Sequence, residues 1–213
     1  MRKLFPSLLL FLTCLLAFCT TSEPLETAVP AFLPSQTVSL ASFADFKEPS
    51  ANWSLGGSVY ANRHEERVLE KKPGSGILVN QPLESAKENL FTAFEHGDLD
   101  LELDFMMPKS SNSGVYLQSR YEVQLFDSWG KDSVTFSDCG GIYQRWNNNQ
   151  GFGGKAPRVN ACYAPGLWQH LSIKFEAPHF DSTGKKMSDA VFREVTLNGV
   201  VIHENVSVSG PTR

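Results

Sequence analysis

From Asp98 to Met107 the chain reads DLDLELDFMM, an apolar–polar alternation that continues to Phe105 without a break. Leu99, Leu101, Leu103 and Phe105 fall on one face, and Asp98, Asp100, Glu102 and Asp104 on the other. A period of two belongs to a strand, whose successive side chains point to opposite faces. Further strand-like runs stand at GSGILVN (74–80), NLFTAFE (89–95), LWQHLSIKFEA (167–177), AVFREVTLNG (190–199) and VVIHENVSV (200–208). Clusters of Gly, Pro, Asn and Asp separate them, and no long segment keeps a helical period. Asn198-Gly199, between the last two runs, reads as a tight hairpin because both residue types accept positive φ. The expected fold is all-β, a β-sandwich or jelly roll of antiparallel strands.

The 213 residues leave room for one sizeable domain and a targeting segment. Fifteen Phe, four Trp and sixteen Gly suit a β-rich core. The net charge of −4 is mild and no basic stripe is present, which speaks against nucleic acid as a partner. Arg2 and Lys3 precede an apolar run from Leu8 to Phe18, too short for a comfortable membrane span. Residues 1–19 therefore read as a secretory signal of bacterial type. LLAFC, ending at Cys19, resembles a lipobox, with Phe18 where a small residue is usual. The expectation is acylation of Cys19 and a lipoprotein in the periplasm or cell envelope, with the lipid as its contact with the membrane. Ordinary cleavage and release is the alternative. Residues 20–42 carry Pro24, Pro30 and Pro34 and read as an extended tether, and the folded domain is expected over 43–213.

Outside the signal the cysteines are Cys139 and Cys162. Export permits a disulfide between them, which is the expectation, with two buried thiols as the alternative. Their spacing lacks any CxxC pattern, so no metal site is indicated. A divalent metal as cofactor stays compatible with the sequence without being called for by it.

The stretch NSGVYLQSRYEVQLFD (112–127) holds two strand-like runs almost touching. Tyr121, Val123 and Leu125 share one face, and Glu122 and Gln124 the other. Tyr116, Gln118, Arg120, Glu122, Gln124 and, just beyond, Asp127 are side chains suited to a polyhydroxylated molecule. A solvated sheet face has the same composition. The segment from Gly140 to Gly166 is rich in Gly, Asn and aromatics and is long for an idle connection. Trp146 there could stack on a sugar ring while Asn147, Asn148 and Asn149 bond hydroxyls.

These segments carry a resemblance. NSGVYLQSRYEVQLFDSWGK, CGGIY, APRVNACYAPGLWQHLSIKFEAPHFDSTGKK and VTLNGVVIHENVSVSGPT together resemble the 3-keto-disaccharide hydrolase domain family, from about Phe43 to Arg213. The resemblance implies a concanavalin-like lectin/glucanase jelly roll. It also implies cleavage of glycosides oxidised to a ketone at carbon 3, by hydrolysis or β-elimination. Family members continue past the position of Pro211-Thr212 into a further segment, so the expectation is a C-terminally incomplete copy.

A ketone at carbon 3 acidifies the proton on carbon 2, and a base that removes it lets the carbon 1 substituent leave. Glu122 is the candidate base, because it stands on the polar face of a strand whose other face is apolar. Tyr116, Gln118, Arg120, Gln124, Asp127 and Trp146 are the candidate substrate contacts. Arg120 and Glu122 as a plain surface ion pair is the bland alternative. The acids of 98–104 read more readily as a solvated face opposite Lys174 or Arg193 than as a metal or glycosidase site, with Glu102 and Asp104 kept as fallback bases. A lectin-like module that binds carbohydrate on the same face without cleaving it is the rival to an enzyme.

Overall fold

The computed structural model describes residues 35–212, and no helix is present among them. The signal at 1–19, Cys19 and residues 20–34 of the expected tether lie outside the described residues. The strands are β1 (Trp53–Tyr60), β2 (Glu70–Asn80), β3 (Leu99–Met106), β4 (Asn112–Leu117), β5 (Tyr121–Phe126), β6 (Arg145–Asn147), β7 (Gln150–Phe152), β8 (Trp168–Glu176), β9 (His179–Phe180), β10 (Lys186–Ser188), β11 (Ala190–Leu197) and β12 (Val200–Val208). Four of them form the larger sheet in the order β12-β11-β8-β3, each neighbouring pair antiparallel.

Alternation along these strands builds the core. Phe105 of β3 joins Leu171, Ile173 and Phe175 of β8 and Phe192, Val195 and Leu197 of β11, with Leu99, Leu101 and Leu103 packed against them. The facing layer is the β4–β5 hairpin, extended by bridges from Val123 to Ile142 and from Ile142 to Lys155. Leu117, Tyr121, Val123, Leu125 and Ile142 turn inward from that layer into the same core. The Tyr121 ring lies 5.4 Å from Phe175, which lies 5.3 Å from Phe192. Two layers around one apolar interior make this an all-β sandwich, as expected.

The acid face of β3 points away from that interior. Asp100 is cross-strand from Lys174, and His170 Nδ1 lies 2.8 Å from Asp104 Oδ1. Neighbouring pairs complete the outer face, with Lys174 2.9 Å from Glu194 and Arg193 2.7 Å from Glu176. Exposed pairs of this kind add little stability; they keep the outer face soluble. Asp98 does something more local, accepting the Ala177 N–H at 2.8 Å.

The Asn198-Gly199 hairpin forms as expected, with φ of 53° and 80° between the paired residues Leu197 and Val200. Other elements differ from expectation. Residues 89–95 form no strand; Thr92 makes an isolated bridge with Phe46, because that segment pairs with a loop rather than a sheet. The long segment after Gly140 contains the β6–β7 hairpin, turned by Asn148 and Asn149 at φ of 47° and 63°.

The expected disulfide is absent, since Cys139 and Cys162 are free, buried thiols. They meet in a hydrogen bond, and Cys162 Sγ also lies 3.4 Å from Tyr163 O. The bond from Cys139 lowers the Cys162 thiol against the effect of burial, whereas that bond and burial both push Cys139 up. Nearby, His203 of β12 is 2% exposed and donates from Nε2 to Gly140 O at 2.8 Å. Burial lowers its pKa, so the neutral ring is the form the fold accepts.

Candidate functional site

β5 is buried on both faces. Its odd-numbered residues enter the core, and its even-numbered residues Glu122 and Gln124 face the other way, at 8% and 3% exposure. One edge of β5 pairs with β4, setting Tyr116 opposite Glu122 and Gly114 opposite Gln124. The other edge is taken by the segment after Cys139. Gln124 N–H donates to Gly141 O at 2.8 Å, and Tyr143 N–H donates to Glu122 O at 3.0 Å. Asp138 holds the loop that delivers this segment. Burial works to raise its carboxyl, but hydrogen bonds from Lys131 and from Thr135 outweigh that and keep it below the usual carboxylate range.

The polar side chains of this face line a cleft of about 310 Å³, formed by Asn112, Tyr116, Glu122, Gln124, Tyr143, Trp146 and Thr212. The β6–β7 hairpin carries Trp146 to its rim at 56% exposure. That hairpin is anchored by Arg145, whose guanidinium lies over the Phe152 ring at 4.9 Å and donates to Ser209 Oγ at 2.6 Å. Thr212 also lines the cleft, its N–H donating to Arg120 O at 2.7 Å.

Gly114 is the residue that admits the Glu122 side chain. A Cβ at Gly114 would lie 3.0 Å from Glu122 Cγ and 3.1 Å from Cδ, and closer still to Oε1. The carboxylate therefore lies across bare backbone. One end of the Gln124 amide lies 3.0 Å from the Asn112 amide, and the other lies 3.3 Å from both Glu122 Oε1 and Ser113 O. Two acceptors at that second end call for Nε2 there, donating to the carboxylate and to the carbonyl.

Four of the sequence candidates, Tyr116, Glu122, Gln124 and Trp146, come together in this cleft. Gln118, Arg120 and Asp127 stand outside its lining. Gln118 and Arg120 belong to the turn between β4 and β5, where Gln118 takes φ of 52°. The Gln118 amide donates to His96 O at 3.1 Å, and the Arg120 side chain is exposed to solvent. Asp127 accepts the Ser110 N–H at 2.9 Å, which fixes the chain entering β4 rather than facing a ligand. Glu102 and Asp104, on the outer face of β3, are not part of the cleft.

Asn112, Tyr143 and Thr212 were not singled out from the sequence. The parity of β4 signals Asn112, which shares a face with Gly114 and Tyr116. Nothing local signals Tyr143 or Thr212, whose places depend on long-range pairing with β5. Among the described residues no group of three or more His, Cys, Asp and Glu side chains is placed to hold a metal ion.

The family model for the 3-keto-alpha-glucoside-1,2-lyase-like domain matches residues 45–213. The chain belongs to this family. It is thereby placed in a glycoside-related group, and the matched residues include the whole cleft lining. A crystal structure of a "putative glycosyl hydrolase" from Parabacteroides distasonis ATCC 8503 is similar in fold, with a TM-score of 0.50 and 20% identity. The similarity covers 85% of this chain and 78% of that one. No curated protein matches the chain.

Proposed function

We propose that the protein cleaves 3-keto-glycosides, with Glu122 as the base that takes the proton from carbon 2. The observation that carries this reading is a buried carboxylate set in a cleft with amides, phenols and an exposed Trp. Family membership supports the substrate class. Sugar rings present apolar faces and polar edges; Trp146 suits the first, and Asn112, Tyr116 and Tyr143 suit the second.

In the first step Glu122 removes the carbon 2 proton, and the electron pair moves toward the carbon 3 ketone. The bond from carbon 1 to its oxygen then breaks, and the departing oxygen takes up a proton, leaving an enone. Water added to the enone at carbon 1 gives the 3-keto sugar, which completes hydrolysis; release of the enone completes a lyase reaction. Tyr116 and Tyr143 carry phenolic hydroxyls in the cleft suited to donate to the enolate oxygen or the leaving group.

Export as a lipoprotein acylated at Cys19 belongs to the same proposal, resting on the leader sequence alone. Glu122→Gln tests the chemical reading, since it keeps shape and loses the basic oxygen. Turnover of a 3-keto-glycoside should fall by about 10²–10⁴-fold with binding little changed. Wild-type protein that binds the substrate and never cleaves it would establish the lectin-like reading instead.

A further inference from the structure

The Gln124 amide is too buried, and too fully engaged, to serve mainly as a substrate contact. It lies between the Glu122 carboxylate and the Asn112 amide, with Asn112 exposed at the cleft's edge. We propose that Gln124 is a positioning residue, part of an amide chain Glu122–Gln124–Asn112 through which contacts at Asn112 set the proton affinity of Glu122. The inference rests on Glu122 being the base.

An amide has one donor end and one acceptor end, so its two neighbours cannot be chosen independently. With Nε2 toward Glu122, Gln124 favours the ionised carboxylate, and its Oε1 requires a donor from Asn112. Ser113 O, 3.3 Å from the same end of the amide, adds a second acceptor and makes this the resting orientation. With the amide turned over, Oε1 faces Glu122 and can accept a bond only from the protonated acid, while Nε2 serves Asn112 Oδ1. The first arrangement suits a base about to take a proton. The second suits the same group once it holds one. A ligand that donates to Asn112 Oδ1 frees Asn112 Nδ2 to hold the resting orientation. A ligand that accepts from Asn112 Nδ2 pulls the chain the other way.

Besides Glu122, the titratable groups lining the cleft are Tyr116 from β4 and Tyr143 from the segment bridged to β5. Arg145 of β6 is directed to Ser209 at 2.6 Å, and the Arg120 side chain is exposed on the turn. Hydrogen-bond polarity at the Gln124 amide, 3.3 Å from Glu122 Oε1, acts on the carboxyl alongside these groups.

The test is a carbon-13 NMR titration of the Glu122 carboxyl, which needs no substrate. Gln124→Met keeps the volume and removes both amide ends, and should raise the Glu122 pKa by about one unit. Asn112→Asp offers Gln124 acceptors only, drawing Nε2 away from Glu122, and should raise it as well. In a Gln124→Met background the same Asn112→Asp change should shift Glu122 by less than half as much. Equal shifts in both backgrounds would mean bare charge repulsion and overturn the chain. In the unaltered protein the Gln124 side-chain amide resonances should titrate together with Glu122, so the idea stays testable if Gln124→Met does not fold. Resonances that ignore the Glu122 titration would also overturn it. With substrate, Gln124→Met should lower kcat about tenfold at little change in KM and move the acidic limb of the rate profile upward. A wild-type protein inert toward 3-keto-glycosides would end the catalytic reading while leaving the titration result standing by itself.

Discussion

Gly114→Ala separates the site from the fold. The added methyl group would sit 3.0 Å from Glu122 Cγ and 3.1 Å from Cδ, with Oε1 nearer still, against ordinary contacts of about 3.5–4.0 Å between carbons. The neighbour in the way is a side chain rather than backbone, so the carboxylate can swing aside and the strand can keep its register. Gly114 does not adopt a positive φ, so alanine suits its backbone. Replacing glycine at such a position changes stability by about 0.4–1 kcal/mol in the favourable direction, through the unfolded chain. Relief of the overlap requires a displacement of about 1 Å at Glu122, and a misplacement of that size costs about 10²-fold in rate. Melting temperature and turnover of a 3-keto-glycoside, measured on the same preparation, check both halves. Unchanged melting with full turnover would refute the claim that Glu122 must lie across Gly114. A large fall in melting temperature would refute the claim that the strand tolerates the methyl group.

Three other outcomes follow from particular residues. Trp146→Ala should raise KM by about tenfold or more with a smaller change in kcat, because it removes a stacking face at the rim; an unchanged KM would remove Trp146 from the substrate site. His203 has its pKa lowered by burial from 6.5, so its contribution to stability is present above 6.5 and is lost as pH falls through the lower folded value. Thermal melts between pH 7.5 and 5 should show that decline, His203→Gln should flatten it, and an equally steep decline in the variant would refute the assignment. Cys139 and Cys162, free and in contact, should both alkylate after denaturation without reductant, whereas prior treatment with oxidised glutathione should block both and add ~3 kcal/mol of stability by closing the loop between them. Thiols still open to alkylation after that treatment would show that the pair cannot close.

The strands that alternate over long runs were legible from the sequence because burial on one face writes itself as a period of two. β3, β8, β11 and β12 are of this kind, and so is the turn at Asn198-Gly199. The segment 89–95 has the composition of a strand, yet its available partner is the loop around Phe46, a fact of tertiary structure. The strands of the β6–β7 hairpin are three residues each, too short to write an alternating period, although Asn148-Asn149 is itself a turn signal. In the cleft, strand parity placed Glu122, Gln124 and Tyr116 together. It failed for Gln118, Arg120 and Asp127, because the hairpin turn and the strand end break the alternation that would have kept them in line. Tyr143 and Thr212 reach the cleft by hydrogen bonds across 21 and 92 residues, Tyr143 N to Glu122 O and Thr212 N to Arg120 O, and nothing in their immediate sequence encodes that.

The central claim is that Glu122 takes the proton from carbon 2. Its most direct test is hydrogen exchange at that carbon in deuterium oxide, followed by NMR on a 3-keto-glycoside with wild-type protein, with Glu122→Gln and without protein. The account predicts that the wild-type protein puts deuterium at carbon 2 of product or recovered substrate well above the uncatalysed rate, and that Glu122→Gln reduces this to near background. Cleavage by the wild type with the carbon 2 hydrogen retained, or equal exchange by wild type and Glu122→Gln, would contradict it.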